Sequence, residues 1–175
     1  REGGFKWLDG SEVAFTAWAT GKPAQQAGAR TNSDCVLVSS FSDSPWLWSD
    51  AGCDSPGGGF VCSPTSPPLP PSPPHPPTPP PIASPLPPPP RPPGTTTQYF
   101  LSSSFDAPDP GSMMWATAKA FCEGRGLQLA VIRTQADQSA LEALLEPVSS
   151  VPRSKYEQFW VGLSASANGA DAASY

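Results

Sequence analysis

Met113-Met114-Trp115-Ala116-Thr117-Ala118-Lys119-Ala120-Phe121-Cys122-Glu123-Gly124, continued by Leu127-Gln128-Leu129-Ala130-Val131-Ile132 and later by Phe159-Trp160-Val161-Gly162-Leu163, is the stretch on which the fold turns. Trp115, Ala118 and Cys122 recur at the three- and four-residue steps of one helical face, so the cysteine points inward. Ser112 is a candidate N-cap and Gly124 or Gly126 a stop, which predicts a helix over about 113–123. Leu127 to Ile132 reads as a strand-like connector. Thr134-Gln135-Ala136-Asp137 carries a capping-box pattern and opens a second helix. That helix turns Ala140, Leu141, Leu144 and Leu145 inward and is expected to end before Pro147. Phe159 to Leu163 is an apolar run of strand length.

Upstream the chain changes character. From Pro64 to Pro93, nineteen of thirty residues are proline, in units such as SPPLPPSPPHPPTPPP. Such a run has too few apolar side chains to fold alone and lacks most backbone donors. It predicts polyproline II, extended at ~3.1 Å per residue. A spacer is one reading of it; a ligand for aromatic-lined grooves is the other. Its Ser-Pro and Thr-Pro units also resemble the glycosylated, hydroxyproline-rich stalks of cell-wall and matrix proteins. Before the run, Phe5, Trp7, Val13, Phe15 and Trp18 alternate with turn signals at Asp9-Gly10-Ser11. Thr20 to Asp34 is polar and small, read as a surface loop. Cys35-Val36-Leu37-Val38, Trp46-Leu47-Trp48 and Phe60-Val61-Cys62 are short β runs, with Pro56-Gly57-Gly58-Gly59 turning the chain before the last. Gln98 to Leu101 is a further candidate strand.

Composition narrows the function. A net charge of −5 with 14% charged residues offers no basic patch for a phosphate backbone, so nucleic acid is not an expected partner. No apolar run reaches the ~18 residues of a membrane span, and Arg1-Glu2-Gly3-Gly4 is no signal peptide. The start without Met and the stop at Tyr175 read as a piece of a longer chain. Cys35, Cys53, Cys62 and Cys122 form an even set beside abundant Gly and Trp, which favours disulfides and an oxidising compartment. Zinc and buried thiols are the alternatives; zinc is poorly served, since no Cys-x-x-Cys occurs and the one histidine, His75, sits in the proline run. No nucleophile-and-base motif and no glycine-rich loop opening a helix is present, so an enzyme is not expected.

Together these motifs resemble the C-type lectin-like domain family. Trp115-x-x-Ala-x-x-x-Cys122, Leu129-Ala130-Val131-Ile132, the capped helix and Trp160-Val161-Gly162-Leu163 are similar to the first half of such a domain. Phe5-Lys6-Trp7-Leu8-Asp9-Gly10-Ser11, Trp18, Asp34-Cys35-Val36, Trp48-Ser49-Asp50, Cys53 and Phe60-Val61-Cys62 are similar to the second half. The resemblance implies an α+β fold, two helices packed on small antiparallel sheets with a long loop region, here interrupted by a polyproline linker. It divides the chain into a C-terminal half at 1–63, a linker at 64–96 and an N-terminal half at 97–175.

In the family the second and third cysteines pair and the first pairs with the fourth. The resemblance therefore pairs Cys35 with Cys53. Cys62 and Cys122 are then either bonded to cysteines beyond the ends in a tandem array, or bonded to each other if the two halves close as one permuted domain with the proline run as a loop.

Sugar-binding members hold calcium through an acid or amide, then Pro, then an acid or amide. That motif falls here on Lys22-Pro23-Ala24. Ser33 stands where a carboxylate usually precedes the second cysteine, and in Trp48-Ser49-Asp50 serine replaces the amide. Calcium takes six to eight oxygens, and Asp50 is the one strong ligand left, so no cofactor is expected and no metal at this site. Asp34 and Asp50 are instead expected to fix loops by accepting hydrogen bonds, and Lys22 to pair with Asp50. The ligand-binding candidates are Lys22, Pro23, Trp46, Trp48 and Asp50. Trp7, Trp18, Trp48, Trp115 and Trp160 match core positions, whereas Trp46 matches none, which leaves packing as the first reading and exposure with stacking on a sugar as the second. The expected function is recognition or adhesion by tandem modules outside the cell, secreted, on its surface or in the matrix, with a glycan or glycoprotein ligand and without calcium. The alternative is a structural hydroxyproline-rich cell-wall or matrix glycoprotein whose lectin-like modules are assembly joints.

Overall fold

The protein is described as a computed structural model for residues 4–24, 34–41, 44–65, 97–105, 113–149 and 158–165. The body of the proline-rich segment (66–96), Ser33 and Ser112 lie outside these residues, and so do the expectations placed on them. The elements run β1 (Lys6–Trp7), β2 (Cys35–Phe41), β3 (Ser44–Ala51), β4 (Gly59–Pro64), β5 (Phe100–Leu101), α1 (Trp115–Glu123), β6 (Leu127–Leu129), α2 (Gln135–Ser149) and β7 (Gln158–Ser164), with one 3₁₀ turn at Ser102–Ser104.

One seven-stranded sheet, ordered β3-β2-β7-β4-β5 with β1 on β7 and β6 on β4, joins strands from both sides of the proline-rich segment. The strand β7 is its hub. Antiparallel β2 lies along one edge, with Leu37 opposite Trp160 and Val38 opposite Phe159. On the other edge β4 pairs in parallel through Phe60 and Trp160, and β1 pairs antiparallel through Lys6 and Ser164. Val61 and Cys62 in turn pair with Leu101 and Phe100, and Cys62 with Leu129.

Period-two alternation then sorts the side chains into two clusters. Cys35, Leu37, Phe60, Cys62 and Trp160 face one way and pack against Trp115, Ala118 and Cys122 of α1. Val36, Val38, Val61, Phe159, Val161 and Leu163 face the other way and meet Leu141 and Leu145 of α2. The sheet is thus buried on both faces, which explains why its strands read as near-continuous apolar runs. Gly162 is required in this arrangement, because a Cβ there would stand 2.7 Å from the Leu129 carbonyl oxygen.

Two covalent links cross the α1-side cluster, Cys35–Cys53 and Cys62–Cys122, at sequence separations of 18 and 60. In the chain-entropy account such closures contribute about 3 and about 4 kcal/mol.

Three local expectations change. The first helix begins at Trp115 with Met114 as its N-cap and no side-chain cap. Met113 is held in extended chain instead: its carbonyl accepts the Gly57 N–H at 3.0 Å and the Trp160 indole N–H at 2.8 Å. The second helix passes Pro147 and ends at Ser149, since a proline so near the terminus removes one donor and leaves only two residues beyond it. Within 5–18, only Lys6–Trp7 is a strand; the remaining aromatics pack as side chains against Trp48 and one another. The capping box forms as read. Asp137 Oδ2 accepts the Thr134 N–H, and the Asp137 N–H donates to Thr134 Oγ1, each at 3.1 Å.

Candidate functional site

The site begins with β3. Its outer edge is partly covered by the loop after Phe15: the Trp48 N–H donates to the Ala17 carbonyl at 2.8 Å, and the Ala19 N–H to the Trp48 carbonyl at 2.9 Å. The Lys22 N–H then turns back onto the Ala19 carbonyl. This pairing brings Lys22-Pro23-Ala24, with a cis Lys22–Pro23 bond, beside Asp50 two residues further along β3.

Asp50 is buried, its side chain only 1% exposed, and Oδ1 takes two donors at 3.0 Å, the Lys22 ammonium and the Ala24 N–H. Oδ2 is buried without a hydrogen-bond partner. The expected Lys22–Asp50 pair is therefore a contact of the structure, and Ala24, which brings no side-chain ligand, contributes its backbone donor. A cation is already at the carboxylate, carried by the chain. Among the described residues no three His, Cys, Asp or Glu side chains gather closely enough to hold a metal ion.

Trp48 stands at the centre of the ring packing beneath this loop. It is fully buried and meets Trp7, Phe15 and Trp18 edge to face at 5.6–5.8 Å. Its indole N–H donates to Gln138 Oε1 at 3.0 Å, and Gln138 Nε2 donates to the Trp46 carbonyl at 2.7 Å and to Glu142 at 2.9 Å. Gln138 thereby ties α2 to β3, a role the sequence reading missed. The signal was a polar residue one turn before Leu141 on the inward stripe of α2.

Trp46 corrects a reading. It is 5% exposed, packed against Phe159 at 5.7 Å, and offers no free face to a sugar. It looked unplaced because its neighbour comes from β7, more than a hundred residues away. Asp34 is half-buried, and its carbonyl accepts the Ala165 N–H at 2.7 Å.

Lys22, Pro23, Trp48 and Asp50 thus come together, and Trp46 does not join them at the surface. Pro23 also lines a groove, together with Phe5, Lys6, Glu12, Val13, Thr16 and Trp18. Lys6 and Glu12 carried no signal when read alone. Their pairing depends on the hairpin that sets them opposite each other.

Residues 111–172 match the family profile of the lectin C-type domain. Among characterised proteins, the chain is similar to C-type lectin domain family 4 member G of Mus musculus, 30% identical over 63 residues, or 36% of this chain and 19% of that protein. It is 36% identical over 61 residues to the low affinity immunoglobulin epsilon Fc receptor of Homo sapiens, covering 35% of this chain and 17% of the receptor. To the human C-type lectin domain family 4 member G it is 37% identical over 59 residues, 34% of this chain and 18% of the relative. The chain therefore spans less than a fifth of the length of these relatives. No solved structure matches significantly. Two helices on a sheet buried on both faces, two disulfides and the matched segment make this a C-type lectin-like fold of the α+β class.

Proposed function

We propose that the protein is an extracellular recognition module that binds a glycan or protein ligand without calcium. The carrying observation is the Lys22 ammonium 3.0 Å from Asp50 Oδ1. The carboxylate of the Trp48-Ser49-Asp50 motif is neutralised by the chain itself. A divalent ion would have to displace that ammonium and find further oxygens where Lys22 and Ala24 stand in place of acids or amides. The relatives named as lectins and as an immunoglobulin receptor support recognition over catalysis. Two disulfides suit an oxidising compartment, and no helix among the described residues is long and apolar enough to cross a membrane.

The same reading assigns 1–63 to the second half of a lectin-like domain, 64–96 to a proline-rich linker and 97–175 to the first half, closed as one permuted domain. Pairing of β4 with β5, β6 and β7, together with Cys62–Cys122, supports it. A glycan array read with and without a chelator is the test. Capture that persists in chelator supports the reading; capture abolished by chelator overturns it. Absence of any glycan capture together with strong self-association favours the structural, assembly-joint alternative, for which the proline content of 64–93 speaks.

A further inference from the structure

The groove beside Pro23 has a volume of about 230 Å³. Its lining combines four half-buried apolar residues, Phe5, Val13, Trp18 and Pro23, with three exposed polar ones, Lys6, Glu12 and Thr16, which are taken as its rim. That size lies below the roughly 300–1,000 Å³ of clefts that enclose drug-sized ligands, and suits a single ring.

The groove is built on fixed parts. Lys6 and Glu12 stand directly opposite each other on a short antiparallel bridge. The hairpin between them is closed by the Trp7 N–H on the Ser11 carbonyl and the Gly10 N–H on the Trp7 carbonyl, with Gly10 at φ +79°. Asp9 accepts from Ser11 and pairs with Arg133, which anchors the hairpin to the start of α2. The aromatic part of the lining is fixed as well, since Trp18 meets Phe5 at 5.3 Å, tilted by 56°, and the buried Trp48 edge to face at 5.6 Å.

The rim chemistry selects the ligand. Lys6 is donor-only, Glu12 acceptor-only, and the Thr16 hydroxyl serves as either. Among the described residues neither Lys6 nor Glu12 is within ion-pair reach of an opposite charge. An anion would face Glu12 and a cation would face Lys6. A proline-rich peptide offers carbonyl acceptors but few N–H donors, so it would leave the Glu12 carboxylate without a hydrogen. A neutral polyol satisfies all three groups, because each hydroxyl both donates and accepts. An aromatic lining with such a rim fits a ring that is apolar on one face and hydroxylated at its edge.

We infer that this groove binds one pyranose ring of a neutral saccharide, its C–H face on Trp18 and Phe5 and its hydroxyls on Lys6 and Glu12. The site is separate from the Lys22–Asp50 pair and shares only the loop that carries Pro23. The inference rests on the recognition reading above and names its ligand class and its seat.

The test is a titration of the full 175-residue chain, in chelator, with methyl pyranosides of glucose, galactose, mannose and N-acetylglucosamine, followed by the indole N–H resonance of Trp18. At least one glycoside shifts that resonance saturably at millimolar concentration. Glu12→Gln and Lys6→Met each weaken its binding by ~10-fold, the scale of a lost hydrogen bond to a charged group. Both side chains are exposed and outside the core, so the variants keep their fold. The inference is overturned if no glycoside moves the Trp18 signal, if both variants bind as the parent does, or if an oligoproline peptide moves the signal and the glycosides do not. Array capture that survives both substitutions sinks this inference and leaves the recognition function standing. Array capture abolished by chelator sinks the function reading, while the chelator titration still reports on the groove.

Discussion

Replacing Lys22 by Ala removes the one ammonium that, among the described residues, meets the almost completely buried Asp50 carboxylate. Two limits bracket the cost. Breaking a fully buried ion pair costs about 3–5 kcal/mol, because the remaining charge is stranded. An exposed pair contributes about 0–1 kcal/mol. Here Asp50 is at the buried limit, with its side chain 1% exposed, while Lys22 is 33% exposed and partly screened by water. The Ala24 N–H stays on Oδ1 after the substitution and carries part of the carboxylate's need. A loss of ~2 kcal/mol follows between the two limits.

For a chain of this size that loss lowers the melting temperature by roughly 4–8 °C. Urea unfolding of the parent, Lys22→Ala, Asp50→Asn and the double variant isolates the pair term from the rest. A coupling of ~1–2 kcal/mol is expected, changing little between low and moderate salt because the pair is partly enclosed. A coupling below ~0.5 kcal/mol, or a Lys22→Ala variant more stable than the parent, refutes the claim that Lys22 is the counter-ion of Asp50.

Two more substitutions probe the frame behind the site. Gln138→Leu keeps the bulk but deprives the Trp48 indole N–H and the Trp46 carbonyl of their partners. At about 1–3 kcal/mol for each stranded group, a loss of ~2–4 kcal/mol is expected in denaturant unfolding; a loss below ~1 kcal/mol shows that the two groups find other partners. Gly57→Ala would set a Cβ 2.2 Å from the Trp160 indole nitrogen and push the ring off the Met113 carbonyl. The expected cost is ~1–3 kcal/mol with a displaced Trp160 indole resonance, and an unmoved resonance would show that the backbone at 57 yields instead.

Much of the frame was legible because its signals are local. Trp115, Ala118 and Cys122 share a helical face, the Thr134–Asp137 box caps α2, and the apolar runs at β2, β4 and β7 have strand length, all within windows of a few residues. The misread points depend on partners far along the chain. Met113 is kept out of α1 by Gly57 and Trp160, and Trp46 is covered by Phe159. The site divides in the same way. Lys22 and Asp50 could be matched through two short motifs, whereas Gln138 is a polar residue two of whose partners lie on distant β3, and the Lys6–Glu12 rim exists only because one hairpin sets two otherwise ordinary charges side by side.

The bond between Cys62 and Cys122 spans the proline-rich segment as well as the core. A protease that cut the backbone anywhere between Thr65 and Thr97 would therefore leave one covalent molecule made of two chains. Cys35–Cys53 lies wholly in the first of them, and the strands of both would remain interleaved in one sheet. Such a nick would show only under reducing conditions, as two separate bands. In a proteolytic setting, the backbone of the proline-rich segment could be cut while the sheet on either side of it stays one covalent unit.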